Sequence, residues 1–329
     1  MARKRLLFIH TGGTLGMLPE GDPGPLAPSA YAENLLPYVR GLEDKVEIVG
    51  EVFSNLDSTD FQPAQWEGIA ALIAARMEEF DGFLVLHGTD TMAYTASALS
   101  FMLQNLRKPV VLTGSQRPVA EVRTDARNNL IHSALCATLD IPEVGLFFGS
   151  HLYRGNCATK VSIQSYEAFD SPNLDPLVDI GVDIRHHTPS LRPSGDFRLR
   201  MGFSRKVMVL YLFPGIRSGQ LRAAVDAGAE GVVLLGFGAG NVPLDGWPSA
   251  IAEATEAGVP VILRSQSLQG DVVLGRYQGG AAAKAAGGVS ARTMTIESTI
   301  VKTMFLLKQS RDLQDFQSAW VKSIAGEMP

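Results

Sequence analysis

Short apolar runs alternate with longer amphipathic stretches along almost the whole chain, and this alternation constrains the fold more than any other feature. Leu6–Ile9, Val46–Phe53, Phe83–Leu86, Val110–Leu112 and Val144–Phe148 read as strands or strand cores. Between them, Pro63–Phe80 places Trp66, Ile69, Leu72, Ile73 and Met77 at helical spacing, with Glu and Arg elsewhere. Thr91–Leu106 and Arg123–Leu139 follow the same pattern. Strand and helix in repeated alternation predict a parallel sheet covered on both faces.

A second series follows. Val207–Leu212, Gly231–Leu235 and Val259–Leu263 read as strands, with helices near Ser218–Ala227 and Trp247–Ala257. Thr299–Lys308 and Asp312–Ile324 read as closing helices. Between the two series, Arg185–Arg205 carries His186, His187, two prolines and several charges, with little periodicity. The expected organisation is α/β throughout. A larger N-terminal domain over 1–188, expected to carry the site described below, holds a mainly parallel sheet covered by helices. A linker spans 189–206, and a smaller C-terminal α/β domain spans 207–329. The Gly- and Ala-rich stretch Gly279–Gly288 reads as an irregular loop or small-residue packing rather than a functional tract.

Composition narrows the function. At 329 residues the chain has ample length for one or two domains of ~100–200 residues. With 46% apolar and 19% charged residues, broad disorder is excluded. Twenty-nine Lys and Arg against 34 Asp and Glu leave a net charge of −5. That balance argues against binding to nucleic acid or to an anionic membrane surface. Cys136 and Cys157 are too few for a disulfide framework, and no metal-binding Cys or His spacing is present. Cys157 reads as a small apolar side chain. No apolar run approaches the ~18 residues of a membrane span. The first ten residues begin like a signal peptide, but His10 and two glycines cut the apolar part short. The expected location is the cytoplasm.

Chemistry is expected beyond the carboxyl ends of the parallel strands, where loops and helix N-termini gather. Thr11-Gly12-Gly13-Thr14 follows the first strand, His87-Gly88-Thr89-Asp90-Thr91 the third and Thr113-Gly114-Ser115-Gln116-Arg117 the fourth. Three glycine-containing turns with hydroxyls and an acid make a polar site for a small ligand. Singly, each also fits a tight turn or a helix N-cap. Neither phosphate-loop nor dinucleotide glycine pattern follows the first strand, and Gly236-Phe-Gly-Ala-Gly240 lacks the rest of the latter. His87, without a partner at metal spacing, reads as a buried, hydrogen-bonded histidine.

In combination these motifs resemble the bacterial L-asparaginase family. Thr11–Thr14 and His87–Thr91 are similar to its two signatures. Leu56-Asp-Ser-Thr-Asp60, Leu112-Thr-Gly-Ser-Gln116, Leu152-Tyr-Arg-Gly-Asn156 with Thr159-Lys160, and Phe169-Asp-Ser-Pro-Asn173 are similar to the cytoplasmic, type I branch. The likeness spans nearly the whole chain and thins after the linker, where Gly238-Ala-Gly-Asn241 and Thr295-Ile-Glu297-Ser carry it.

The resemblance implies hydrolysis of L-asparagine to L-aspartate and ammonia, with no metal or cofactor. It assigns Thr14 as nucleophile, and Thr89, Asp90 and Lys160 as the second catalytic group, with Lys160 as base. A threonine hydroxyl needs a neighbour to remove its proton. A lysine can do so only if its surroundings lower its pKa from about 10.4. Ser58 matches the position that holds the α-carboxylate, with Thr89 and Asp90 beside it; Asp90 supplies a negative charge for the α-ammonium. Asp57 is a candidate helper or a turn cap, and Ser115 and Gln116 line the amide end. The family implies a homodimer or homotetramer, with Asn241 contributed across the interface.

The chain departs from the family in two places. Its lid stretch, Leu15–Ala30, has Pro25 where a tyrosine is usual, and Tyr31 lies just beyond. Ser267 stands where some type I relatives carry a regulatory cysteine, so allostery is not carried over. Two competing functions share parts of this pattern. One is the asparaginase-like subunit of a tRNA-dependent amidotransferase, which normally brings an extra N-terminal domain. The other is a non-catalytic asparagine- or aspartate-binding module, which has no need of a paired Thr and Lys.

Overall fold

Leu6–Ile9 lie at the buried centre of strand β1 (Lys4–Gly12), and each other apolar run of the first series also lies in a strand. These are β2 (Val46–Leu56), β3 (Gly82–Leu86), β4 (Val110–Thr113) and β5 (Val144–Phe148). All five residues of β3 and all five of β5 are buried, as a sheet covered on both faces requires. The structure, a computed structural model, describes residues 3–19, 26–28, 41–42 and 45–329. It forms two units, Met1–Met201 and Gly202–Pro329.

In the first unit, β5 turns back through β6 (His151–Arg154), β7 (Val178–Ile180) and β8 (Ile184–His186), giving the order β8-β7-β6-β5-β4-β3-β1-β2. Neighbours from β2 to β5 are parallel, and those from β5 to β8 are antiparallel. The larger domain is therefore α/β with a mainly parallel sheet. Within the parallel part, strand order reverses between β1 and β3. Such a reversal opens a crevice at the carboxyl ends of the two strands, where doubly wound sheets bind ligands.

The covering helices are α1 (Pro63–Ala75), α2 (Met92–Met102) and α3 (Ala126–Cys136). Gln62 and Gln65 form a reciprocal cap at the start of α1, with Pro63 in the first turn, and Trp66, Ile69, Ala70 and Ile73 face inward. Each helix is shorter than its periodic pattern. α2 ends at Met102 because Leu103–Gln104 pair with Arg198–Leu199 as a short antiparallel ladder.

Residues 189–201, expected as linker, belong to the first unit. The backbone of this segment is tied to that unit by buried polar groups. Arg154 donates to Glu143 at 2.6 Å as a buried pair and to the Pro189 carbonyl, while Glu143 also accepts from the Leu191 N–H.

The second unit has four parallel strands in sequence order, β9 (Val207–Tyr211), β10 (Gly231–Gly236), β11 (Val261–Ser265) and β12 (Val289–Ser290). Helices α4 (Gly219–Asp226), α5 (Trp247–Glu256), α6 (Gln278–Ala285), α7 (Ile296–Gln309) and α8 (Leu313–Trp320) complete it. Its own core gathers Leu221, Val232, Leu234, Trp247, Ile251 and Leu263. The Gly279–Gly288 stretch is not a loop: most of it is α6. Alanine is the best helix former, and Gly280 lets the helix start pack against the Leu274 backbone.

Candidate active site

β1 ends in a turn that only glycines can make. Thr11 is fully buried and donates from Oγ1 to the Leu86 carbonyl at 2.8 Å, tying the end of β1 to the end of β3. Gly12 and Gly13 follow with φ of +113° and +88°, where a Cβ is strained. A Cβ on Gly13 would also strike the Gly88 backbone, and one on Gly88 would come within 2.6 Å of Ser58 Oγ. The missing side chains thus let three strand-end segments approach one another. They bring together the turn before Thr14, the turn before Thr89, and Ser58. Thr14 itself is half-buried and opens a single 3-10 turn, Thr14–Gly16.

Beyond β2, Asp57 Oδ1 accepts from the N–H and the hydroxyl of Thr59, both at 2.8 Å, and caps the short turn Ser58–Asp60. Capping is what the structure shows of Asp57. Ser58 is 3% exposed, and its carbonyl accepts from Thr91 Oγ1 at 2.7 Å.

Lys160 arrives by a longer route. After β6, a 3-10 turn at Gly155–Cys157 leads into a two-residue ladder in which Thr159 faces Asp170 and Lys160 faces Phe169. The hydroxyl of Tyr153 on β6 donates to the Phe169 carbonyl at 2.9 Å and pins this ladder. From it, Lys160 Nζ donates to Thr89 Oγ1 at 2.8 Å and to Asp90 Oδ1 at 2.5 Å. The Lys160 side chain is 16% exposed and that of Asp90 60%. The lysine side chain is therefore held mostly inside while the carboxylate opens to solvent.

Gln116 completes the row. Its Oε1 accepts from Thr89 Oγ1 at 3.4 Å, and its Nε2 donates to the Ser162 and Ser165 carbonyls. The buried carboxylate of Asp125 holds the Gln116 loop, accepting from the N–H groups of Gln116 and Arg117 and from Asn129. Burial raises the Asp125 pKa, and these hydrogen bonds oppose the rise. Sequence reasoning missed Asp125 and Asn129. The available signal was an Asp immediately before a helix with an Asn four residues later, on one helical face. Ser115 is buried, and its hydroxyl donates to the Arg117 carbonyl at 2.6 Å, so it shapes the loop.

Thr89, Asp90, Lys160 and Gln116 are in direct contact, and the glycine turns bring Thr14 and Ser58 to the same strand ends. Asn241 lies in the other unit. There its Oδ1 accepts from the Gly280 N–H in the first turn of α6. Pro25 and Tyr31 lie outside the described residues. Both cysteines are buried and neither is in a disulfide, and burial pushes the Cys136 thiol up to about 12. Among the described residues, no group of three His, Cys, Asp or Glu is placed to hold a metal ion, and no helix is long and apolar enough to cross a membrane.

A hydroxyl beside a second hydroxyl, an amine and a carboxylate, with tight backbone turns around them, suits acyl transfer through a covalent intermediate. The chain is also similar to known proteins. Residues 5–192 match the family described as asparaginase, N-terminal, and residues 206–319 match the glutaminase/asparaginase C-terminal domain. The chain is 37% identical over 335 residues to L-asparaginase 1 of Escherichia coli K12, covering 100% of this chain and 99% of that one. The crystal structure of L-asparaginase I from Vibrio cholerae matches with a TM-score of 0.90 and 36% identity, over 100% of both chains. The thermostable L-asparaginase from Thermococcus kodakarensis matches with a TM-score of 0.93 and 34% identity, over 99% of each chain.

Proposed function

The chain belongs to the asparaginase family, and from that premise we propose that it hydrolyses the side-chain amide of L-asparagine to L-aspartate and ammonia, with Thr14 as nucleophile. The observation that carries this reading is the Lys160–Thr89–Asp90 cluster, set at the strand ends where Gly13 meets Gly88 and Thr14 follows. A non-catalytic binding module has no use for that cluster, and the relatives do not favour one.

The reaction runs in two halves. Thr14 Oγ attacks the amide carbon, and its proton passes to Lys160 in its amine form. An amine keeps two N–H bonds, enough to hold Thr89 and Asp90 while its lone pair takes the proton. The same proton then goes to the departing nitrogen, which leaves as ammonia, and an ester on Thr14 remains. Water attacks that ester with Lys160 again taking a proton, L-aspartate leaves, and the Thr14 hydroxyl is restored. Backbone N–H groups of the two Thr-Gly turns stabilise the oxyanion.

Ser58 receives the α-carboxylate of the substrate and Asp90 its α-ammonium, with Asp57 holding the Ser58 turn. Ser115 and Gln116 shape the amide end. One extra methylene changes binding by only ~1–3 kcal/mol, so minor glutaminase activity accompanies the main reaction. The enzyme works in the cytoplasm as a homodimer or homotetramer, with Asn241 reaching a neighbouring copy's site. Resemblance to the type I branch supports both statements.

The test is ammonia release with L-asparagine, L-glutamine and D-asparagine side by side, in wild type and Thr14→Ala. We expect rapid release from L-asparagine and slower release from L-glutamine. In Thr14→Ala, release should fall at least about a thousand-fold while the protein stays folded. Turnover in Thr14→Ala within a few-fold of wild type would remove Thr14 as nucleophile.

A further inference from the structure

We propose that His10 is a positioning residue for the reaction, its neutral imidazole holding the Gly12–Gly13 turn and through it the nucleophile Thr14. The proposal rests on Thr14 being that nucleophile. His10 is the last residue of β1 in regular register with β2, opposite Val52; the next paired residue, Gly12, lies opposite Leu56. Between these pairs one residue on β1, Thr11, thus faces three on β2, Phe53, Ser54 and Asn55, and the ladder is broken where the catalytic turn begins.

His10 works at that break. The Gly12 N–H donates to His10 Nδ1 at 3.2 Å. A backbone N–H can donate only to a bare ring nitrogen, so the proton of the imidazole sits on Nε2 and the ring is neutral. The ring is 3% exposed, and burial keeps it neutral by lowering its pKa; the Ser54 backbone beside it pulls the other way. Nε2 meets no partner in good hydrogen-bonding geometry. A buried N–H left in that state costs stability. An apolar residue at position 10 would avoid this cost while filling the same strand position. What only an acceptor at this position supplies is the bond to Gly12.

The neighbouring bonds show why that bond matters for aim. Thr11 is held at both ends, its hydroxyl by the Leu86 carbonyl and its own carbonyl by Ser54 Oγ. The Gly13 N–H donates to the Leu56 carbonyl. Gly12 is the hinge between these two anchors, it has a positive φ, and His10 acts directly on its peptide. Thr14 lies two residues further on, so a small rotation at Gly12 becomes a displacement of its hydroxyl. A misplacement of about 1 Å at a reacting atom can cost on the order of a hundred-fold in rate.

The experiment compares His10→Leu and His10→Asn with wild type and Thr14→Ala, measuring kcat and KM for L-asparagine and a thermal transition for each. Asn carries its Oδ1 close to the place of imidazole Nδ1 and can accept from Gly12; Leu cannot. We expect His10→Leu to lose about ten-fold or more in kcat with KM within about three-fold, and His10→Asn to keep kcat within about three-fold. Equal kcat in the two variants would overturn the proposal, whether both are active or both impaired. Active Thr14→Ala would instead overturn the nucleophile itself, so the two failures are distinguishable. Should His10→Leu not fold, nitrogen-15 NMR of histidine-labelled wild type reads the tautomer directly. A proton found on Nδ1 of His10 at neutral pH would overturn the proposal, and a bare Nδ1 would support it.

Discussion

His87 carries the opposite tautomer from His10, and the difference follows from what each faces. Its Nδ1 lies 2.8 Å from the Gly88 carbonyl and must donate, which leaves Nε2 to accept from the Thr95 hydroxyl at 2.9 Å. Phe61 meets the ring edge-on, and burial pushes its pKa from 6.5 down to about 4, against a weaker upward pull from the Gly88 backbone. Between those two pH values the unfolded chain binds a proton that the native ring refuses. Stability therefore rises with pH across this window. The contribution is fully present above about 6.5 and is lost as pH falls toward 4. At about 1.4 kcal/mol per unit the loss is roughly 3 kcal/mol. His87→Gln does not titrate there, so its urea stability should fall less than that of wild type between pH 7 and pH 4. Carboxylate effects are common to both proteins and cancel in the difference. Parallel stability curves would show that the ring takes its proton without cost.

The element that delivers Lys160 is a ladder of two residue pairs, far below what can stand by itself, and Tyr153 holds it from β6. Tyr153→Phe keeps the ring and removes the one donor, leaving the Phe169 carbonyl unsatisfied in a buried place. We expect a stability loss of about 1–3 kcal/mol in urea denaturation. Since Lys160 faces Phe169 in the ladder, kcat should fall while KM for L-asparagine changes little. A wild-type kcat with lowered stability would separate the anchor from the chemistry. This ladder also marks where sequence reasoning stops. The turns holding Thr14, Thr89 and Ser115 were legible because each follows an apolar strand, and position at a parallel strand's carboxyl end is itself a functional signal, whereas Ser58 was singled out by family resemblance. Lys160 has no such frame, for two paired residues carry no periodicity, and only family resemblance singled it out. The returns β6, β7 and β8 were invisible for the same reason. α6 was misread because glycine and alanine together suggest a loop until the alanines are seen to outweigh the glycines within the helix. Asp125 was lost because a buried carboxylate paired with two backbone N–H groups and an asparagine amide looks, in sequence, like any polar residue before a helix.

At the scale of the whole molecule, the second unit leaves an apolar strand edge exposed among the described residues. β9 is an edge strand of its sheet and reads Val-Met-Val-Leu-Tyr, without a charge. Met208 and Val209 are exposed, as are Tyr211 at 56% and Phe213 just beyond the strand at 52%. Edge strands of soluble proteins are usually blunted by lysine, proline or a bulge, because open N–H and C=O groups beside apolar side chains invite another chain. A cluster of large apolar side chains at an open edge marks an interaction surface. The proposed homo-oligomer supplies a natural cover, a second copy lying over the β9 edge. Wild type should then sediment well above the 35.3 kDa of one chain at micromolar concentration. Tyr211→Lys places a charge in the covered edge, where burying it unpaired is costly, and should shift the protein toward monomer or a smaller assembly. If Asn241 serves a neighbouring copy's site, kcat should fall together with the assembly and recover at high protein concentration. Dissociation without loss of kcat would confine the whole site to one chain, whereas an unchanged assembly would remove the β9 edge from the interface.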